Sequence, residues 1–159
     1  MTGIFDMISI DIPQRGSFEL RHAVFDINGT LAIDGMPLVG VADRLRTLGG
    51  HLTIHLLTAG THGNLEDIEK ELGHPVQRIS TGEDKVNYVK KLGPDGVVAI
   101  GNGVNDAGML ELAAIGIAVL EGEGVAGSAL RAADVVVTSP IHAIELLLLP
   151  KRLVATLRG

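Results

Sequence analysis

The sequence has 159 residues, the size of one domain, and 46% of them are hydrophobic. It contains no cysteine, which excludes a disulfide framework and a thiolate metal site. Its formal net charge of −6 and its 3% of aromatic residues argue against a protein that binds nucleic acid through phosphate contacts and base stacking. We therefore expect a single domain over residues 1–159 without a nucleic-acid partner.

Apolar strands alternate with helical segments along the chain. Strands over Met7–Ile12 and Ser17–Phe25 flank a turn at Pro13–Gly16 and predict a β-hairpin that leads into the next segment. The strands expected after it are His51–Thr58, Val76–Ser80, Val97–Ile100, Ile115–Leu120 and Asp134–Thr138. The expected helices are Val39–Leu48, Asn64–Leu72, Glu83–Leu92, Asn105–Ala114, Val125–Ala133 and a last one from Ile141 that Pro150 interrupts. This order predicts a three-layer α/β fold with a central parallel sheet.

The sequence predicts neither a signal peptide nor a membrane span. The first residues, MTGIFDMISIDIP, lack the basic start and the apolar core of a signal peptide. No run approaches the roughly 18 apolar residues of a membrane span. We expect a cytoplasmic protein with no membrane span. A mean hydropathy of +0.34 predicts a homo-oligomer, with contacts through the N-terminal hairpin and residues 141–157.

Two glycine-rich segments each follow a short apolar run. Asp26–Thr30, DINGT, follows His22–Phe25, and Gly101–Asp106, GNGVND, follows Val97–Ile100. Ligands of open α/β sheets bind at the carboxyl ends of the strands. The two segments therefore predict a phosphate and metal site at that edge of the sheet.

Both segments resemble motifs of the haloacid dehalogenase (HAD) superfamily, and the chain is most similar to the phosphorylation domain of P-type ATPases. Gly82–Val137, which contains GEDKVNYVKKLG, VVAIGNGVNDAGMLELAAIGIAV and ALRAADVVV, also resembles a pump segment. The resemblance implies a Rossmannoid HAD-like fold. The intervals from Thr30 to Val39 and from Thr58 to Lys85 are too short for the cap domain common in this family. We therefore expect a capless protein whose site is open or covered by another subunit.

The resemblance also assigns roles to single residues. Asp26 takes the position of the nucleophile, whose carboxylate attacks phosphorus to give an aspartyl phosphate. Thr58 matches the second motif, which binds a phosphate oxygen, and Ala59 is expected to bind phosphate beside it. Lys85 matches the third motif and would offset the charge of phosphate and carboxylates. Asn105 begins a predicted helix, where an anion site forms readily.

Two positions that are acidic in the family are amides here, Asn28 and Asn102. Asn28 stands at a catalytic position, but an amide cannot protonate a leaving oxygen or activate water. The ligands expected for a Mg²⁺ cofactor are Asp26, the main-chain carbonyl of Asn28, Asn102 and Asp106. Asn102 can offer oxygen but no charge, so weak Mg²⁺ binding is expected.

The sequence leaves two functions open. One is a slow, Mg²⁺-dependent HAD-type phosphohydrolase that acts on a small phosphorylated substrate through an aspartyl phosphate on Asp26. The alternative is a non-catalytic regulatory protein that binds a phospho-ligand or a metal on the same scaffold. The presence together of Asp26, Thr58, Lys85 and Asp106 favours the enzyme.

Overall fold

The computed structural model describes residues 6–60, 65–79 and 81–159. The strands in chain order are β1 (Ile8–Ile12), β2 (Gly16–Leu20), β3 (His22–Asp26), β4 (Ala32–Ile33), β5 (Met36–Pro37), β6 (Thr53–Thr58), β7 (Val76–Arg78), β8 (Val97–Gly101), β9 (Ile115–Val119) and β10 (Val135–Val137). The helices are α1 (Val41–Gly49), α2 (Leu65–Leu72), α3 (Gly82–Leu92), α4 (Ala107–Leu112), α5 (Gly127–Ala132), α6 (Pro140–Leu148) and α7 (Pro150–Leu157). The predicted residues Asn64 and Ser80 lie outside the described part.

A six-stranded sheet in the order β10-β9-β8-β3-β6-β7 forms the centre of the molecule, and all its neighbouring strands are parallel. Strands β8 and β9 are continuous apolar runs, and β3 is apolar from Ala23 to Phe25, because both faces of the sheet are covered. Buried side chains of α1, α2, α6 and α7 pack on one face, and those of α3, α4 and α5 pack on the other. The predicted three-layer α/β architecture is confirmed.

The N-terminal hairpin is a sheet of its own and does not continue into the central sheet. β1 and β2 pair antiparallel, and Ile10, Ile12 and Leu20 bury their side chains in the core on the side of α7. The sequence predicted one strand over Ser17–Phe25, but the chain changes partners at Arg21. The Arg21 N–H donates to the Gly96 carbonyl at 2.8 Å, and the Arg21 carbonyl accepts from Thr53 at 2.9 Å. The strand that carries the first motif therefore begins at His22.

A small flap, β4–β5, occupies the interval between Thr30 and Val39, for which the sequence predicted no strand. Its turn lies at Asp34 and Gly35, whose φ angles of 52° and 78° match a tight turn between antiparallel strands. The flap follows the first motif directly, so it stands at the carboxyl edge of the sheet. In the described residues, the interval between Thr58 and Lys85 contains α2 and β7 and no inserted domain.

Several helix ends follow the local sequence. The Thr81 hydroxyl accepts the Asp84 N–H at 3.1 Å and caps α3, which places Lys85 in the first turn of that helix. The last helical segment divides at Leu149 into α6 and α7 because Pro150 cannot continue the hydrogen-bond ladder. None of the helices among the described residues is long and apolar enough to cross a membrane.

We predict that Gly116→Ala destabilises the protein by about 1–3 kcal/mol or more, because a Cβ on β9 would collide with the Leu110 carbonyl of α4. Gly50→Ala is the matched control. Gly50 has a φ of −75° and its nearest atom would lie 3.4 Å from a new Cβ, so a neutral or slightly stabilising effect is expected. Urea unfolding measures both variants, and equal midpoints would contradict the close approach of α4 to β9.

Candidate functional site

The two motif segments and Thr58 meet at one edge of the sheet. β3 lies between β6 and β8, so Asp26 ends the central strand while Thr58 and Gly101 end its two neighbours. The register sets Asp26 opposite Leu57 and Phe25 opposite Ile100. The carboxyl edge therefore collects the predicted residues, as expected for an open α/β sheet.

A fully buried ammonium group joins two carboxylates at this edge. Lys85 Nζ lies 2.8 Å from Asp26 Oδ1 and 2.7 Å from Asp106 Oδ1. The second Asp106 oxygen accepts the N–H groups of Asn102, at 3.0 Å, and Gly103, at 2.9 Å. Asp106 thus fixes both the lysine and the backbone of the GNGVND loop. Both of its oxygens are engaged by the protein, and a role for Asp106 as a metal ligand stays a prediction.

Burial and charge shift the acid–base behaviour of this cluster. Burial, with the neighbouring charge of Asp106, raises the pKa of Asp26 to about 7, although Lys85 acts in the opposite direction. Burial alone would lower the pKa of Lys85, but the carboxylates of Asp26 and Asp106 outweigh it and raise that pKa. The lysine is therefore a permanent cation, and Asp26 is the group that titrates near neutrality.

The Thr58 hydroxyl is oriented by two donors. Its oxygen accepts from the Asn28 side-chain amide at 3.1 Å and from the Gly60 N–H at 3.1 Å. Both bonds use the oxygen, so the hydroxyl proton remains available for a phosphate oxygen. This geometry brings Asn28 and Thr58 together as the sequence predicted, and it gives Asn28 a positioning task that the sequence did not indicate.

The Asn102 side chain is engaged at both ends. Its oxygen accepts from the Thr30 hydroxyl at 3.2 Å, and its amide nitrogen donates to the Gly124 carbonyl at 3.1 Å. Thr30 also lies 3.4 Å from Asp26 Oδ2. Gly29 leaves room for this packing, because a Cβ at that position, where φ is 83°, would strike the Asn102 amide.

Two predicted phosphate ligands remain less defined. Ala59 and Asn105 are half-buried at the same edge. No hydrogen bond from the Asn105 side chain to the described part of the chain is seen, and the role of both residues stays a prediction. Thr30 and Gly60 were not expected to act here, although Thr30 belongs to the DINGT segment.

The donor set fits a divalent cation that phosphate helps to hold. Within residues 6–60, 65–79 and 81–159, no three His, Asp or Glu side chains are grouped to hold a metal ion. Of the four expected ligands, Asp26 offers its second carboxylate oxygen and Asn28 its carbonyl. Mg²⁺ often uses one or two carboxylates, water and substrate phosphate. Asp26 and Asn28 supply oxygen ligands of this kind, but together they bring only one negative charge.

No protein-family model matches the chain. The uncharacterized protein MJ0073 of Methanocaldococcus jannaschii is 37% identical to it over 90 residues, which make up 52% of this chain and 97% of that protein.

Solved structures with the same fold include two phosphatases and the catalytic domain of an ATPase. The 3-deoxy-D-manno-octulosonate 8-phosphate phosphatase of Moraxella catarrhalis, in complex with magnesium, phosphate and KDO, has a TM-score of 0.64, 20% identity and coverage of 87% of this chain and 94% of its own. An apo phosphoserine phosphatase has a TM-score of 0.67 and 13% identity, and the match covers 80% of this chain and 98% of that one. The catalytic domain of the CPx-ATPase CopB-B gives 0.59 at 31% identity, and the match spans 70% of this chain but 46% of that one.

We predict that Asp26→Asn removes a pH-dependent loss of stability. The pKa of Asp26 is raised from 3.8 to about 7 on folding, so the native state binds the proton more tightly and stability falls as pH rises through that window. Each pKa unit corresponds to about 1.4 kcal/mol. In urea unfolding between pH 4.5 and 8, the free energy of unfolding of the variant should increase relative to that of the wild type as pH rises. Asp95→Asn, at an exposed position, is the control, and parallel curves for wild type and Asp26→Asn would contradict the shift.

Proposed function

We propose that this chain, which belongs to the HAD-like proteins and to the family of MJ0073, is a phosphohydrolase that transfers a phosphoryl group from a small phosphorylated substrate to Asp26. The observation that carries the proposal is the Asp26–Lys85–Asp106 cluster at the carboxyl edge of the sheet, next to the Thr58 hydroxyl. A carboxylate, a fixed cation and a hydroxyl donor around one open position are the groups that phosphoryl transfer uses.

In the proposed first step, an Asp26 carboxylate oxygen attacks phosphorus and the bond to the leaving oxygen breaks. The products are an aspartyl phosphate and the alkoxide or phenolate, which takes its proton from water. The Thr58 hydroxyl would donate a hydrogen bond to a phosphate oxygen. Lys85 would offset the negative charge that develops on the phosphate. Asp106 acts by holding Lys85 in place.

In the second step, water attacks phosphorus, inorganic phosphate leaves and the Asp26 carboxylate is restored. This step needs a group that takes a proton from water, and Asn28 cannot supply it. Its side-chain amide donates to Thr58 instead. We therefore propose slow hydrolysis of the aspartyl phosphate, and slow first-step chemistry on substrates whose leaving oxygen must be protonated.

A divalent metal, Mg²⁺ in this proposal, would be held by Asp26 and the Asn28 carbonyl and would neutralise charge on the bound phosphate. The Moraxella catarrhalis phosphatase with magnesium and phosphate supports this choice. The structure of a neighbouring phosphatase from Haemophilus influenzae is a cobalt-bound form, which supports a divalent ion more generally.

A non-catalytic phospho-ligand protein is the second candidate. The observation that favours it is the use of both amides, Asn28 and Asn102, in hydrogen bonds that hold the site together. A protein of this kind would bind phosphate at Thr58 and Lys85 without forming a covalent bond.

A burst experiment with para-nitrophenyl phosphate and Mg²⁺ separates the two functions, because para-nitrophenolate leaves without needing a proton. The proposal predicts a burst of about one phenolate per chain, followed by slow turnover. The burst rate should rise with pH through about 7 because Asp26 must be ionised. Asp26→Asn should abolish the burst and the exposed control Asp95→Asn should keep it. Phosphate binding without a burst would favour the regulatory protein, and a burst in Asp26→Asn would refute the nucleophile.

We predict that Asn28→Asp raises steady-state turnover by about 10²–10⁴-fold, because a carboxylate there can take the proton of the attacking water. The measurement is the steady-state release of inorganic phosphate after the burst. Unchanged turnover in a folded variant would show that the missing general base does not limit the reaction.

We predict that Asn102→Asp tightens Mg²⁺ binding, because a second carboxylate would face Asp26 across the Thr30 hydroxyl. Titration calorimetry compares it with Asn87→Asp, the same chemical change at an exposed position of α3. Equal Mg²⁺ affinity in wild type and Asn102→Asp would exclude position 102 from the surroundings of the metal.

The expected cytoplasmic location, homo-oligomer and lack of a nucleic-acid partner stay predictions. The contact surfaces expected for the oligomer, the hairpin and residues 141–157, stay a prediction as well, and both also contribute buried apolar side chains to the core. Exposed apolar residues include Leu149 within residues 141–157, and also Met36, Val39 and Val104, on or near the flap and the GNGVND loop. Light scattering decides between monomer and oligomer.

A further inference from the structure

We propose that Asn102 is a positioning residue that fastens the loop Glu121–Gly124, and through it the β4–β5 flap, to the phosphate edge of the sheet. The proposal concerns the folded chain and stands apart from the proposed phosphoryl transfer. It also gives a physical reason for an amide at this position.

All the polar groups of Asn102, in its side chain and its backbone, form hydrogen bonds. Its side chain bridges the Thr30 hydroxyl and the Gly124 carbonyl. Its backbone carbonyl accepts the Ala126 N–H at 2.7 Å, and its own N–H donates to Asp106. One residue thus ties together the first motif, the GNGVND loop and the loop that follows β9.

The same loop supports the flap. The Asp34 N–H at the flap turn donates to the Glu123 carboxylate at 3.1 Å. Gly122 packs against the Ile33 side chain of β4. The loop itself is turned by a hydrogen bond of 2.7 Å from the Gly124 N–H to the Glu121 carbonyl. The flap therefore rests on a loop whose Gly124 carbonyl is held by the Asn102 amide.

A carboxylate could not make the hydrogen bond that the Asn102 amide donates to the Gly124 carbonyl. The Gly124 carbonyl only accepts hydrogen bonds, and an ionised aspartate has no proton to donate to it. An aspartate at 102 would place two acceptors face to face. It would also add a third carboxylate to a cluster in which Asp26 and Asp106 share the single cation Lys85. The amide satisfies the carbonyl without adding charge.

This arrangement gives the Asn102 amide a structural role in the loop that does not depend on a cation. The Asn102 oxygen already accepts from Thr30, so a metal held by Asp26 and Asn28 can bind with the amide in place. In a site without a cap, the flap and this loop form the wall of the described part of the phosphate edge. Asn102 keeps that wall in position.

Amide hydrogen exchange measured by NMR tests the proposal first in the wild type. The Asn102 side-chain amide protons should exchange more slowly than those of Asn87, whose side chain is exposed on α3. Loss of the hydrogen bond in Asn102→Ala should speed backbone exchange at Asp34, Gly124 and Ala126 by roughly 2- to 12-fold. Amides of β9 should not change.

Asn102→Asp should have the same effect as Asn102→Ala, and Asn87→Asp should have none. If Asn102→Asp fails to fold because of the added charge, Asn102→Ala still tests the bond. Exchange at Asn102 as fast as at Asn87, or unchanged exchange at Gly124 and Ala126 in Asn102→Ala, would overturn the proposal.

A second readout separates positioning from local stability. Inorganic phosphate added to the wild type should shift the backbone amide signals of Gly60, next to Thr58, and also those of Asp34 and Gly124. In Asn102→Ala the Gly60 shift should persist while the other two shrink. Retention of all three shifts in Asn102→Ala would overturn the positioning role. Absence of the Gly60 shift in the wild type would count instead against the proposed function and leave the exchange result standing.

Discussion

The buried Lys85 ammonium is the interaction on which the site depends. A cation without solvent is stable only when it is paired, and Asp26 and Asp106 supply two oxygens within 2.8 Å. The pairing brings α3 against the ends of β3 and β8. Removal of Lys85 would leave two carboxylates in the interior without a cation, and removal of either carboxylate would leave Lys85 with one partner, so these three positions constrain both the fold at this edge and its chemistry.

The two amides reduce the charge of the site at which we propose phosphoryl transfer. With Asp26, Asp106 and Lys85 ionised, the cluster carries −1, which repels a phosphate dianion less than a site with four carboxylates would. Each amide also contributes a donor that a carboxylate lacks, Asn28 to Thr58 and Asn102 to Gly124. Compared with carboxylates, the two amides cannot transfer a proton and bring no negative charge to a metal, but they donate hydrogen bonds that order the site.

The sequence predicts the central sheet well, because strands buried on both faces must be apolar along their length. The place of the site is also predicted, because Asp26, Thr58 and Gly101 end adjacent parallel strands and therefore lie at the same edge of the sheet. The flap escaped prediction because strands of two residues, such as Ala32–Ile33, show no periodicity. The break at Arg21 was not predicted either, because the residues on both sides of it are extended and the sequence there looks like one continuous strand. The contact of Asn102 with Gly124 joins residues 22 positions apart in irregular chain, where no local signal exists.

Trapping of the covalent intermediate tests the central claim most directly. Acetyl phosphate with Mg²⁺, followed by rapid borohydride reduction, converts an aspartyl phosphate to homoserine, which peptide mass spectrometry locates. The account predicts homoserine at position 26, favoured by the slow second step, and no conversion of Asp106, whose oxygens are held by Lys85 and the loop. Recovery of unmodified Asp26, with phosphate bound at the site, would contradict it.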